Sequence, residues 1–235
     1  MDGKHTSEQL MNSVNVLILL VIALVYVATG TRVGDDAIAA LSDGAVYRGR
    51  ANGNVALECV VNWDAAELTD MLDTLKAADT RITFFVSGRW AKGHAGTLRR
   101  MEADGHEIGT LGSAPTLDGS LQLITQDVSA SASVIEGITG QPPRYYYPGM
   151  RARQASVRAA ESLGMTAVAA SVDLLCGRYE AEEIARRASK QAFDGSILVI
   201  QPTAAGAEAL PGVLGGIRAS GYKPTTVGEV LEGKE

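Results

Sequence analysis

The sequence predicts an α/β barrel of parallel strands behind one N-terminal membrane-spanning segment, on three observations. From Val55 onward, short runs rich in Val, Ile, Phe and Tyr alternate with longer stretches of helical periodicity. The strand runs are continuously apolar, as strands covered on both faces require. Near the N-terminus, Val14 to Ala28 reads VNVLILLVIALVYVA, apolar except for Asn15.

That N-terminal run, rising about 1.5 Å per residue, is at the short end of what crosses a bilayer. Ala28-Thr29-Gly30 also resembles a small-x-small cleavage site, so a signal peptide is the alternative. Only Lys4 and His5 precede the run, without the Lys/Arg cluster of a secretory signal, and this favours an uncleaved anchor. The expected organisation is a polar N-terminus over 1–13, the anchor over 14–30, a connector over 31–54 and one domain over 55–235. The expected location is the cell membrane, single-pass, with the domain outside the cytoplasm.

Within the domain, Val55–Val61 (VALECVV) is a strand, and Leu68, Met71, Leu72 and Leu75 form one face of a helix over Ala65–Ala78. Ile82–Val86 is a second strand, followed by a helix through Leu98 and Met101. His106–Leu111 is a third strand, Leu121–Ile138 a helix and Arg144–Tyr147 a short aromatic strand. Ala155–Leu163 is helix, Thr166–Val172 strand, Ala181–Phe193 helix and Ser196–Ile200 strand. A helix over Ala207–Ala219 and a last strand near Thr225–Val227 close the chain. Strands joined by helical crossovers run parallel, and seven of them suit a barrel, whose working site stands on loops at the C-terminal strand ends.

The 235 residues, 46% hydrophobic and 20% charged, suffice for one full core. A net charge of −6 argues against a nucleic-acid partner. Cys59 and Cys176 match no zinc-ribbon spacing and read as buried free thiols.

The strand ends carry Asn62-Trp63-Asp64, Gly88-Arg89-Trp90, Thr110 to Ser113, Pro148 to Arg151, Asp173, and Gln201 to Thr203. A metal hydrolase needs three His, Asp or Glu ligands converging there. Of the three histidines, His5 precedes the anchor, His94 falls inside a predicted helix, and His106 begins a strand at the opposite rim, where its role is structural. Ser113 and Ser171 have no histidine to activate them. No phosphate-cradling glycine motif occurs. Asp64 and Glu67 fit the N-cap and N3 positions of a capping box. Asp173 reads as a turn residue, or as part of a carboxylate pair of the glycosidase kind.

These segments, taken in order, resemble the polysaccharide deacetylase (NodB homology) domain. The resemblance rests on VAL followed by NWDAAE, ITFFVSGRWA, LRRMEADGHEIG, ITGQPPRYYYP, SLGMTAV with SVD, GSILVIQPT, and ALPGVLGGIRASGYKPTTVGEVL. It covers Val55 to about Leu231 and implies a distorted (β/α)7 barrel. Members of this size with an N-terminal anchor include a sporulation-associated branch.

Residue by residue, the resemblance implies that the chemistry is gone. The family's T-F-D-D-G falls on Glu58 to Asn62, placing Val60 and Val61 at the two aspartates and Asn62 at a variant position of the metal aspartate. Its two histidine ligands fall on Leu111 and on Ala114 or Pro115. The base-orienting arginine falls on Tyr147, the D-W pair on Cys176-Gly177 and the histidine acid on Gln201. Val, Leu, Ala and Pro offer zinc no lone pair, and the Asn62 carbonyl is a poor zinc ligand. No cofactor is therefore expected.

The expected function is a non-catalytic, glycan-binding or scaffolding protein of the cell envelope, with a cell-wall glycan or an envelope protein as partner. Trp63, Trp90, Tyr145, Tyr146 and Tyr147 near the mouth would stack on pyranose rings, with Asp64 and Asp173 as polar contacts. The competing expectation is that Trp90 and Tyr146 pack the barrel interior. Two alternatives remain. One is an N-acetyl hydrolase rewired around Asp64, Asp173 and Glu58, the last only if it points into the barrel, which strand alternation leaves open. The other is a purely structural membrane protein.

Overall fold

The computed structural model describes residues 44–63, 66–114 and 119–233. The expected anchor over 14–30 lies outside them, as do Asp64 and Pro115. Among the described residues no helix is long and apolar enough to cross a membrane.

The chain forms a curled half-barrel of parallel strands sheathed by helices. In order these are β1 (Asn54–Val61), α1 (Leu68–Ala77), β2 (Thr83–Val86), α2 (Gly88–Gly93), α3 (Ala95–Ala103), β3 (Glu107–Thr110), α4 (Leu121–Thr139) and β4 (Tyr145–Tyr146). Then follow α5 (Gln154–Ser162), β5 (Thr166–Ala167), β6 (Val172–Asp173), α6 (Ala181–Gln191), β7 (Ile197–Ile200), α7 (Ala204–Ala219), β8 (Lys223–Thr225) and α8 (Val227–Glu232). The sheet order is β5-β4-β3-β2-β1-β7-β6, and β8 pairs with the first residues of β1. All described pairings between these strands are parallel, so the strands' C-terminal ends share one rim.

The expected strand over Thr166–Val172 is two. β5 pairs with β4, and β6 pairs with β7, so the two edges of the sheet are halves of one chain run. Ala169 between them gives its N–H to the Val46 carbonyl at 2.9 Å. Residues 44–50, expected as connector, thus run along the seam: Val46 bridges Val168 in parallel and Arg48 bridges Ser196 in antiparallel sense.

Two helix expectations also change. The helix after β2 is two, α2 and α3, broken at His94, whose φ of −127° is not helical. The chain's end is not a strand near Thr225–Val227 but β8 followed by α8, whose N-cap Thr226 accepts from the Glu229 N–H. Glu67 stands at the N-cap of α1 without a side-chain cap bond, so it is not the N3 member of a capping box.

Strand alternation sorts the core into layers. On the convex side Val55, Leu57, Cys59 and Val61 pack under the helices with Leu72, Trp90 and Leu210. On the concave side Ala56, Phe85, Leu111, Tyr145, Tyr147, Val168 and Ile197 form the interior, closed at its base by Val227 and Val230 of α8.

Candidate functional site

The C-terminal rim brings together Asn62, Trp63, the Leu111–Ala114 loop, Tyr147 to Arg151, Asp173 and Gln201, since each follows a parallel strand. Val60, half-buried, lines the concave side with Leu111 and Tyr147, whereas Val61 turns outward into the helix-covered layer. Asn62 is exposed, Ala114 and Gln201 are half-buried.

The Leu111–Ala114 loop is held by one carboxylate. Asp127 of α4 accepts from the Ser113 N–H at 2.8 Å and the Ala114 N–H at 3.1 Å. Gly112, at φ +81°, must be glycine: a Cβ there would lie 2.3 Å from Asp127 Oδ2. The Thr110 hydroxyl supports the same loop, accepting from the Gly112 N–H at 3.0 Å and donating to Ser131 at 2.7 Å. The loop that the resemblance assigns to the histidine ligands is therefore rigidly built, yet it presents no ligand.

Asp173 Oδ1 accepts from the Leu175 N–H at 2.8 Å, closing a turn in which Leu175 takes a left-handed φ of 57°. One carboxylate oxygen is thus committed to the backbone, as in the turn-residue reading. The cation Arg187 donates to the Asp173 carbonyl, not its carboxylate, and lies 5.2 Å over the Tyr179 ring.

Trp63 is 41% exposed on the rim. Trp90 and Tyr146 are placed otherwise than expected, neither at the mouth nor in the interior. Trp90 projects into the convex helix layer, its ring stacked on His94 at 4.6 Å. Tyr146 points outward beneath α4 and α5 with Ile124, Val128 and Val157, its hydroxyl bonded to Ser156. The cause is alternation: in the run Tyr145-Tyr146-Tyr147 the first and third face inward, so the second cannot. Tyr147 is buried within the interior, 5.5 Å from the Phe85 ring. Burial first, then Glu58, Asp173 and Tyr47, hold its hydroxyl well above the ordinary phenol range, so it stays neutral.

The same alternation settles Glu58. It lies between Ala56 and Val60, both of the concave cluster, so it points into the interior. It has no exposed surface, and neither carboxyl oxygen has a hydrogen-bond partner among the described residues. Burial raises its pKa well above the carboxylate range. Sequence reasoning named Glu58 but missed that it is sealed in.

His106 belongs to the opposite rim. Its Nδ1 accepts from the Ile82 N–H at 3.2 Å, and its ring meets Phe84 edge-on at 5.0 Å. It borders a surface cavity of about 600 Å³ in which Arg144 pairs with Glu107 and Glu232, and Arg81 with Glu229.

Among the described residues no three His, Cys, Asp or Glu side chains are grouped to hold a metal ion. Asn62, Leu111 and Ala114, at positions the resemblance assigns to metal ligands, offer one neutral carbonyl between their side chains and do not fit the zinc it implies, and no step is derived through one.

The comparisons agree with this geometry. The polysaccharide deacetylase family profile matches residues 61–168. YlxY, an uncharacterized protein of Bacillus subtilis, is 26% identical over 192 residues, covering 80% of this chain and 60% of its own length. The chain thus spans less than two thirds of that relative. Among solved structures, BA3943 of Bacillus anthracis, a CE4 family pseudoenzyme, is 27% identical at a TM-score of 0.76, covering 81% of this chain and 69% of its own. PdaA of Bacillus subtilis, a family 4 carbohydrate esterase, shares the fold at a TM-score of 0.74 with 22% identity, covering 85% and 89%. Residues 61–168 thus match a polysaccharide deacetylase domain, and the fold is the one seen in the family's solved structures.

Proposed function

We propose that this protein is a catalytically inactive member of the polysaccharide deacetylase family, using the rim of a (β/α)7-type barrel to bind a cell-wall glycan or scaffold an envelope protein, without a cofactor. One observation carries the reading. The concave wall below the rim is built from Val60, Leu111 and Tyr147, which supply neither a metal ligand nor an ionised base. The aromatic surface offered to a sugar is Trp63, exposed at the end of β1. BA3943 supports the reading, being a CE4 pseudoenzyme of which a mutant has restored activity. Tethering by residues 14–30, an extracytoplasmic domain and a sporulation-associated setting belong to the same proposal and rest on sequence resemblance. Asp64 belongs to it as a rim contact.

The orientation of Glu58 favours one rival, a hydrolase rewired around Glu58 and Asp173, because the glutamate does face the interior. Its complete burial leaves it no contact with a substrate on the rim.

The test uses the detergent-solubilised full chain on insoluble peptidoglycan and on chitin. Retention is expected on one of them, without release of acetate. Trp63→Ala is expected to weaken retention roughly two- to tenfold, the range of one ring stack, with melting unchanged because the ring is exposed. Acetate release would establish the rewired hydrolase, and absence of retention on both would leave the structural or protein-scaffolding role.

A further inference from the structure

A buried carboxyl group with no partner is costly, and a folded chain keeps one only where something offsets it. Glu58 is such a group, with both oxygens shielded from solvent and unbonded among the described residues. Among the described residues no positive charge acts on it. β2 presents Thr83 and Phe85, the Thr83 hydroxyl being committed to Glu107 at 2.7 Å and to the Val227 N–H at 2.8 Å. β7 presents Ile197 and Val199, and α8 presents Val227 and Val230. Burial alone acts on the Glu58 carboxyl; the titratable group it interacts with across the interior is Tyr147, an acid held neutral. Cys59 is the sequence neighbour, on the opposite face of β1.

The way out is short. One pleat above Glu58 stands Val60, half-buried at the mouth, with Tyr147 also in the interior wall. The Glu58 carboxyl is therefore sealed behind a thin apolar floor, directly below the rim.

We propose that Glu58 is a proton-operated latch on the barrel interior. Protonated, it packs as a neutral side chain and the floor formed by Val60 and Tyr147 stays shut. Once it loses its proton, a buried anion with no bonded partner among the described residues has to be hydrated, and water enters through the floor, loosening β1 against β4 and the seam. The proton goes to solvent, and no other group need change its charge. The latch makes the shape of the rim depend on pH. It is independent of whether the rim binds a glycan.

The experiment is amide hydrogen exchange and thermal melting of the full chain across acid, neutral and alkaline pH, corrected for the intrinsic pH dependence of exchange. In the wild type, protection in β1 and in the residues following β4 is expected to fall about tenfold or more per pH unit once ionisation couples to opening, while α1 and α7 stay protected. The contribution of Glu58 to melting is expected to fall progressively as pH rises above about 4.3, where the unfolded carboxyl ionises and the buried one does not, by roughly 5 °C or more in all. Glu58→Gln and Glu58→Met should both flatten these responses. Should Glu58→Gln fail to fold, the methionine variant and the wild-type exchange pattern still decide. Equal pH dependence in wild type and Glu58→Met, or uniform loss of protection across the helices as well, would overturn the latch.

Discussion

Phe85→Ala is expected to destabilise the domain by about 3–5 kcal/mol, and Gly109→Ala by about 1–3 kcal/mol, through the same contact seen from its two sides. Phe85 is fully buried on the concave wall and lies opposite Gly109 in the β2–β3 register. A Cβ on Gly109 would come within 2.4 Å of two carbons of the Phe85 ring, Cδ1 and Cε1, and 3.2 Å of a third, Cζ. The ring therefore fills the space that any other residue at 109 would claim. It cannot swing away, because Tyr147 packs against it at 5.5 Å. Glycine is required here for close approach across the sheet, not for a turn. Chemical denaturation of both single variants and of Gly109→Ala combined with Phe85→Leu checks the contact. The double variant should be less destabilised than the sum of the singles, since leucine frees part of the space. Additivity within about 0.3–0.5 kcal/mol would place the ring elsewhere.

Acid is expected to unfold the domain through His106 before general carboxylate protonation does so. Burial first, with Arg100 and Arg81 adding to it and Asp104 opposing, lowers the pKa of His106 from 6.5 to about 4. The folded state thus refuses a proton that the unfolded chain accepts. Stability supplied by the neutral ring is complete above about pH 6.5 and is lost as pH falls toward 4, amounting to roughly 3 kcal/mol over that window. The geometry agrees: Nδ1 is already committed as acceptor to the Ile82 N–H, so a proton there would break that bond. His106→Asn keeps an acceptor near the same position and cannot titrate. Relative to the wild type, its denaturation free energy should gain roughly 2 kcal/mol as pH falls from about 6.5 to about 4.5, the contribution of Glu58 being common to both proteins. Parallel curves for the two proteins would remove His106 from the account.

Much of this was legible in the sequence because the signals are periodic. VALECVV and ITFFV are strands of continuous apolar residues, and the Leu68, Met71, Leu72, Leu75 stripe is buried under the sheet as its spacing demands. Order and spacing of the motifs also led to the family. What failed was local. His94 looked helical because nothing in composition marks the break between α2 and α3. Thr166 to Asp173 looked like one strand because an alanine-rich run gives no sign that its two halves belong to opposite edges of the sheet. At the site, an aromatic near a strand end says nothing of which face it takes. Tyr146 went outward because a one-residue step along a strand reverses the side chain and only pairing to neighbours fixes the phase, whereas Trp90 sits on α2 and faces the helix layer. Asp127 escaped notice altogether. It acts from the helix after the loop, and an acid in the first half of α4 is indistinguishable in sequence from a solvated one.

The most direct test of the central reading, a family barrel whose rim holds no metal, is the zinc content of the purified full chain after incubation with excess Zn²⁺ and removal of free ion. The account predicts that no zinc is retained and that melting is unmoved by its addition, since Leu111 and Ala114 have no side-chain lone pair to give and Asn62 only a neutral carbonyl. One zinc per chain, lost on Asn62→Ala or Asp173→Ala and accompanied by a raised melting temperature, would contradict it and show that the rim has rebuilt a metal site from other residues.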